Sequence, residues 1–351
     1  MMDERENTLR AVRFEGPERI PLRFHLNSAC WHHYPQAALE DLMEAHTILF
    51  PNYRRKPDGY EPDYAPWQTA GKPYTDPWGC VWETTDNGTT GTVTKPALEN
   101  WDDFDTFRPP DPEHFSGWTA IDWEAEAAGL ARACKEGRLV RGGLRHGHTF
   151  LTLTYIRGYE NLLYDMADEE PRLYELIRMV EEFNAATVKR YIDLGVEWMG
   201  YAEDLGMQVG PMLSPDQFVK YIKPSYKRLI APARRAGCVI HMHSDGDIRE
   251  LVEHLIEGGV EAINLQDLVN GIDWIREHLT GKVCVDLDVD RQKVTRFGTP
   301  ARVDALIREE VEKLGSGQGG LMLNHGLYPG IPLENVKALM DAMEKYAGYY
   351  S

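Results

Sequence analysis

From about residue 138 onward the chain repeats one unit: a short apolar or β-branched run, a polar turn, then a longer stretch of helical period. Period two suits a strand and period 3.6 a helix, so this alternation predicts parallel strands joined by crossover helices. The strands are expected to end near Leu144 (RLVRGGL), Glu203 (EWMGYAE), His243 (CVIHMH), Gln266 (EAINLQ), Asp288 (KVCVDLD) and His325 (GGLMLNH). Helix-start chemistry follows several of them: Ser214-Pro215, Asp247 with Glu250 as a capping box, Thr299-Pro300, and Pro332. Adding IPLRFH near residue 20 and residues 47–50 gives about eight strands, the number of a TIM-type (β/α)8 barrel. The expectation is an α/β protein with one barrel domain over residues 1–351. Within it, TDPWGCVWETTDNGTTGTVTKP alternates in polarity around Asn87-Gly88, which predicts an inserted β-hairpin at about 72–98.

Composition narrows the partners. The 351 residues carry 38 Lys plus Arg against 56 Asp plus Glu, a formal charge of -18 that repels phosphate backbones and anionic membrane surfaces. Neither nucleic acid nor a membrane is expected as a partner. The five cysteines are scattered, with no CxxC spacing, and the opening MMDERENTLRAVRFEG has no apolar run. A reducing cytoplasm is the expected setting.

Strand C-termini of a barrel converge on one mouth, where barrel enzymes keep their chemistry. Here those positions carry His146, His148, Glu203, Asp204, His243, Asp245, Gln266 and His325. In VIHMHSDGD, period two puts His241 and His243 on the interior face, His241 one layer deeper as a supporting imidazole. Asp247 is assigned to the helix cap, which leaves Asp245 to the site or to the turn. His325 is a site residue or a loop histidine beside Gly326; Gln266 bonds a neutral substrate or caps Asn270-Gly271. His146 and His148, in RGGLRHGHTF, suit a mobile substrate loop or a solvated one. WHHY at 31–34 lines an apolar pocket or a surface loop.

Six segments, in order, carry a resemblance: RENTLRAVRFEGPERIPL, DPWGCVWE, WDDFDTFRPPDP, EDLGMQVGPMLSPDQFVKYIKPSYKRL, HSDGDIRELVEHLIEGGVEAINLQD and HGLYPGIPLENVKAL. Together they resemble the uroporphyrinogen decarboxylase superfamily, which includes zinc-dependent corrinoid methyltransferases. The decarboxylase branch implies an arginine-rich loop after the first strand, whereas this chain has HLNSACWHHYP there. Without that clamp, bidentate contacts to porphyrinogen carboxylates are lost. The methyltransferase branch implies a His-x-Cys and a late Cys as metal ligands. Here His243-Ser244-Asp245 and His325 occupy those places, so the resemblance implies a divalent metal, zinc first, on His243, Asp245 and His325. It also implies Glu203 and Asp204 in the site, as fourth ligand or general base.

The leading expectation is therefore metal-dependent methyl transfer between a small substrate and a separate corrinoid protein. No D-x-H-x-x-G signature is present to hold a corrinoid in this chain. The alternative is a metal-free decarboxylase (a lyase) of a carboxylated, tetrapyrrole-like substrate, and a third class is a binding barrel without chemistry. A homodimer is left open.

Overall fold

A computed structural model describes residues 2–350. Its strands are β1 (Leu22–Leu26), β2 (Tyr74–Thr75), β3 (Val81–Glu83), β4 (Thr92–Lys95), β5 (Arg141–Gly143), β6 (Trp198–Asp204), β7 (Val239–Asp245), β8 (Ala262–Gln266), β9 (Cys284–Asp288) and β10 (Leu321–Leu327). Seven of them form one sheet in the order β1-β10-β9-β8-β7-β6-β5, and β2-β3-β4 form a separate small sheet. Helices separate the successive strands from β5 to β10, so the fold is α/β of the TIM-barrel type. Among the described residues, no helix is long and apolar enough to cross a membrane.

The expected strand ends near Leu144, Glu203, His243, Gln266, Asp288 and His325 are those of β5 to β10. The expected strand at 47–50 is a turn. Glu344 Oε1 accepts from the amides of Ile48 at 2.9 Å and Leu49 at 3.2 Å, and Phe50 N donates to His46 O at 2.9 Å. Backbone donors satisfied in this way have no place in a strand ladder. The expected capping box of Asp247 and Glu250 is also absent. That helix starts later, at Val252, and Asp247 instead pairs with Arg249 at 2.7 Å.

The chain forms two compact units: Met1–Lys72, Glu83–Gly91 and Leu265–Ser351 in one, Pro73–Trp82 and Thr92–Asn264 in the other. In the first, β1 pairs in parallel with β10, Phe24 opposite His325. Phe24 is buried, its ring 5.8 Å from that of Phe50 and 5.1 Å from that of His325. In the second, β5, β6 and β7 run side by side, and β6 faces β7 from Trp198↔Val239 to Asp204↔Asp245. The helix Pro171–Asp193 buries Leu173, Leu176, Val180 and Phe183, a stripe at helical spacing.

The inserted segment forms three short strands, because Asp76 closes a tight turn inside it. Its carboxylate accepts from Trp78 N (2.9 Å), Cys80 N (3.0 Å) and Trp82 Nε1 (2.9 Å), which accounts for the DPWGCVW pattern. Arg145 lies beneath, buried, 4.0 Å from Asp76 and stacked on Trp118. It therefore serves the scaffold.

One buried charge cluster sets a stability expectation. In the first unit, Glu310 on the helix Pro300–Leu314 is fully buried and faces the carboxylates of Asp267 and Asp290. Burial first, then the Asp267 charge, pushes its carboxyl well above the usual range. The folded protein thus keeps a proton that the unfolded chain loses above about pH 4.5. Glu310's contribution to stability falls as pH rises from there toward the raised value, with a limiting slope of about 1.4 kcal/mol per pH unit. Glu310→Gln, neutral throughout, is expected to flatten that slope between about pH 5.5 and pH 7.5 in urea unfolding. An unchanged slope would place the proton elsewhere.

Candidate active site

The neighbouring strands β5, β6 and β7 place three polar groups at their C-terminal ends. His146 lies just beyond β5, Asp204 ends β6, and His243 lies near the end of β7. Their side chains converge: His146 Nε2 is 3.2 Å and His243 Nε2 3.5 Å from the same oxygen, Asp204 Oδ1. The imidazole centroids are 5.6 Å apart, and the three potential ligand atoms all lie within 4.8 Å of one another. The amide of Asp245 also donates to Asp204 Oδ1, at 3.1 Å, and Asp245 Oδ1 is 3.8 Å from His243 Nε2.

Burial alone would raise the Asp204 carboxyl, but hydrogen bonds from His146 and His243, with their charge, hold it well below the usual range. It is therefore an anion facing two imidazoles. On the far side of its ring, His243 Nδ1 donates to Asn264 Oδ1 at 2.5 Å. A neutral His243 with that tautomer presents the lone pair of Nε2 to the Asp204 carboxylate. Lone pair against carboxylate is repulsive, so either a second proton or a cation belongs between them.

The backbone makes this convergence possible. Gly246 has φ +83°, and a Cβ there would fall 2.1 Å from Gly206 C and O; a Cβ on Gly206 would fall 2.5 Å from Asp247 N. The ends of β6 and β7 touch main chain to main chain. Gly206 N donates to Asp245 O at 3.2 Å, and Asp247 N to Met207 O at 2.7 Å.

The other expected residues have different surroundings. Glu203 is fully buried and accepts from Thr149 N (3.1 Å), Phe150 N (2.9 Å), Leu151 N (3.1 Å) and Tyr226 Oη (2.6 Å). It caps the helix Phe150–Arg157, whose first amides have no partner inside the helix. His148 is buried, its Nδ1 2.7 Å from Thr149 Oγ1 and its ring against Tyr226; burial lowers its pKa and keeps it neutral. His241 is buried and packs on Trp198, centroids 5.0 Å apart.

Gln266 and His325 lie in the other compact unit. Gln266 is buried at the end of β8 and its carbonyl accepts from Asn270 Nδ2, while His325 is buried with Nδ1 3.1 Å from Val289 O. Burial pushes the His325 imidazole down to about 3, so it is neutral. Asn264 was not anticipated. Its signal was present in EAINLQ, where an amide interrupts an otherwise apolar strand two residues before Gln266 and on the same face.

The family model for uroporphyrinogen decarboxylase (URO-D) matches residues 77–346, well over half of the chain. The chain belongs to this family. Similar curated relatives include uroporphyrinogen decarboxylases of Thioalkalivibrio sulfidiphilus, 25% identical over 249 residues (67% of this chain, 66% of the relative), and Homo sapiens, 23% over 182 residues (50% and 47%). A uroporphyrinogen decarboxylase of Thermus thermophilus is 27% identical over 190 residues (52% and 51%). The matches thus span about half to two thirds of these relatives' own length. Among solved structures, a methyltransferase from Methanosarcina mazei superimposes with TM-score 0.67 over 99% of both chains at 14% identity, a likeness of fold.

If the Gly206–Gly246 approach holds the site together, Gly246→Ala must destabilise the protein through both φ strain and overlap. A loss of about 2 kcal/mol or more is expected in urea unfolding. Gly258→Ala, at a position where a Cβ meets nothing within 4 Å, is the control. Equal effects of the two would show that the close approach carries no weight.

Proposed function

We propose that this protein is a metal-dependent methyltransferase of the URO-D family, moving a methyl group between a small substrate and a separate corrinoid protein. The observation that carries this reading is the meeting of two imidazole nitrogens and a carboxylate oxygen within 4.8 Å at adjacent strand ends. Such a donor set fits a borderline divalent ion such as zinc, and three protein ligands leave a coordination place for substrate. The ligand set proposed is therefore His146, Asp204 and His243. The set implied by resemblance was His243, Asp245 and His325, of which His243 is common to both.

A bound divalent ion would supply Lewis acidity to the heteroatom that gains or loses the methyl group. The protein's own residues do the positioning. Asn264 fixes the tautomer of His243 and so keeps Nε2 turned to the site. The Asp245 amide fixes the Asp204 carboxylate. Asp245 Oδ1, 3.8 Å from His243 Nε2, stands where it can exchange a proton with that heteroatom. Glu203 acts at one remove, by anchoring the helix that follows His146 and His148.

Two further observations support the reading. The segment after β1, HLNSACWHHYP, carries no arginine to clamp several carboxylates, and the protein's charge of -18 disfavours a polyanionic substrate. Decarboxylation is the second reading, favoured by the relatives, which are uroporphyrinogen decarboxylases.

Elemental analysis of untagged protein, with assays on two probes, separates the readings. Methyl transfer predicts bound zinc, cobalt or iron, with about one equivalent lost in His243→Ala and in Asp204→Asn while folding persists. It also predicts chelator-sensitive methyl exchange with free methylcobalamin. Less than about one-tenth equivalent of metal, with no rebinding, sinks it. Chelator-insensitive release of carbon dioxide from uroporphyrinogen would establish the second reading instead.

A further inference from the structure

Outside that site, in the first compact unit, His32, His33 and Asp86 form a second group whose potential ligand atoms all lie within 4.8 Å of one another. His32 Nε2 is 3.0 Å from Asp86 Oδ1, and His33 Nε2 is 3.0 Å from Oδ2 and 3.2 Å from Oδ1. We infer that these three side chains form a second divalent-metal site, which fastens the turn between β3 and β4 to the short helix Cys30–His33 after β1.

Adjacent helical residues normally diverge by about 100° around the axis, which sends their side chains apart. Here the two rings lie with centroids 4.5 Å apart, and both turn Nε2 onto one carboxylate. His32 Nδ1 is 3.2 Å from the Tyr64 hydroxyl, a partner that can hold the proton on Nδ1 and leave Nε2 as the ligand. Two imidazoles and a carboxylate again make a set for a borderline ion and leave at least one coordination place for water. The side chains are about 40% exposed (37%, 43% and 38%), so an ion reaches them without any opening of the fold.

The frame around the group is built for close approach. Gly88, at φ +86°, brings the turn against Ser28 and Ala29; a Cβ there would fall 2.4 Å from Ala29 N and 2.7 Å from Ser28 C. Asn87 Oδ1 accepts from Ala70 N at 2.8 Å, Gly88 N donates to Gln68 O at 2.8 Å, and Thr89 Oγ1 donates to Asp86 Oδ2 at 3.3 Å. Asp86 is thereby delivered to the histidines by main-chain geometry as well as by its own charge. A metal bond across residues 53 apart in sequence would close the loop from His33 to Asp86.

Equilibrium dialysis of full-length, untagged protein against excess zinc chloride, followed by elemental analysis, tests the site. With both sites present, wild type should hold about two equivalents, His32→Ala/His33→Ala about one, and His146→Ala/His243→Ala about one. Asp86→Asn should lower the zinc content as the His32/His33 double variant does. The second site is overturned if His32→Ala/His33→Ala, with a native circular dichroism spectrum, keeps the wild-type zinc content. If wild type holds one equivalent and that variant none, the second site stands and the methyl-transfer site fails.

Discussion

The His146–Asp204–His243 group depends on a contact that contains no side chain. Gly206 and Gly246 let the ends of β6 and β7 meet main chain to main chain, at a distance no Cβ could share. The register then places Asp204 opposite Asp245, so the Asp245 amide reaches Asp204 Oδ1. Oriented by that bond, the carboxylate faces His146 on one side and His243 on the other. Were these two strand ends to splay, Asp204 would lose the Asp245 amide and draw away from His243. The glycines supply the close approach without strain, and the chemistry lies in their neighbours.

The acidic pair Glu203-Asp204 shows how strand geometry assigns roles. Successive residues of a strand point to opposite faces. Asp204, half-buried, faces the histidines, while Glu203, fully buried, faces the helix layer and takes three amides and a tyrosine hydroxyl. An unpaired buried carboxylate would be costly, and four donors offset that cost. Two adjacent residues of like chemistry thus become a scaffold anchor and a site group, and the pleat alone decides which is which.

Much of the fold was legible in the sequence, since period and turn chemistry are local. β1 and β5 to β10 all fall where the apolar runs predict, and Ser214 caps its helix as expected, its Oγ accepting from Gln217 N at 3.2 Å. The failures are tertiary. Residues 47–50 have the composition of a strand, but Glu344, almost 300 positions away, takes their amides. Asp247 has a capping residue's neighbours, yet Arg249 claims its carboxylate. Within the site, sequence could place His146, Asp204 and His243 at strand ends, but grouping them requires knowing that β5, β6 and β7 are neighbours. Resemblance to a known ligand spacing drew attention to His325, whereas the histidine that meets His243 belongs to the loop after β5.

On the proposed reading, the donor set bears on what the protein acts upon. Two neutral imidazoles and one carboxylate donate a single negative charge to a divalent ion, where a pair of thiolates would donate two. The remaining positive charge is larger, and harder ligands suit harder partners. An ion held in this way polarises an ether, alcohol or water oxygen more strongly than a thiolate-rich one does. The Asp245 carboxylate, 3.8 Å from His243 Nε2, is then useful in a way a cysteine would not be: it can share a proton with an oxygen at the open position. On that reading, two nitrogen donors and one oxygen donor in place of thiolates favour methylated or methyl-accepting oxygen compounds over thiols.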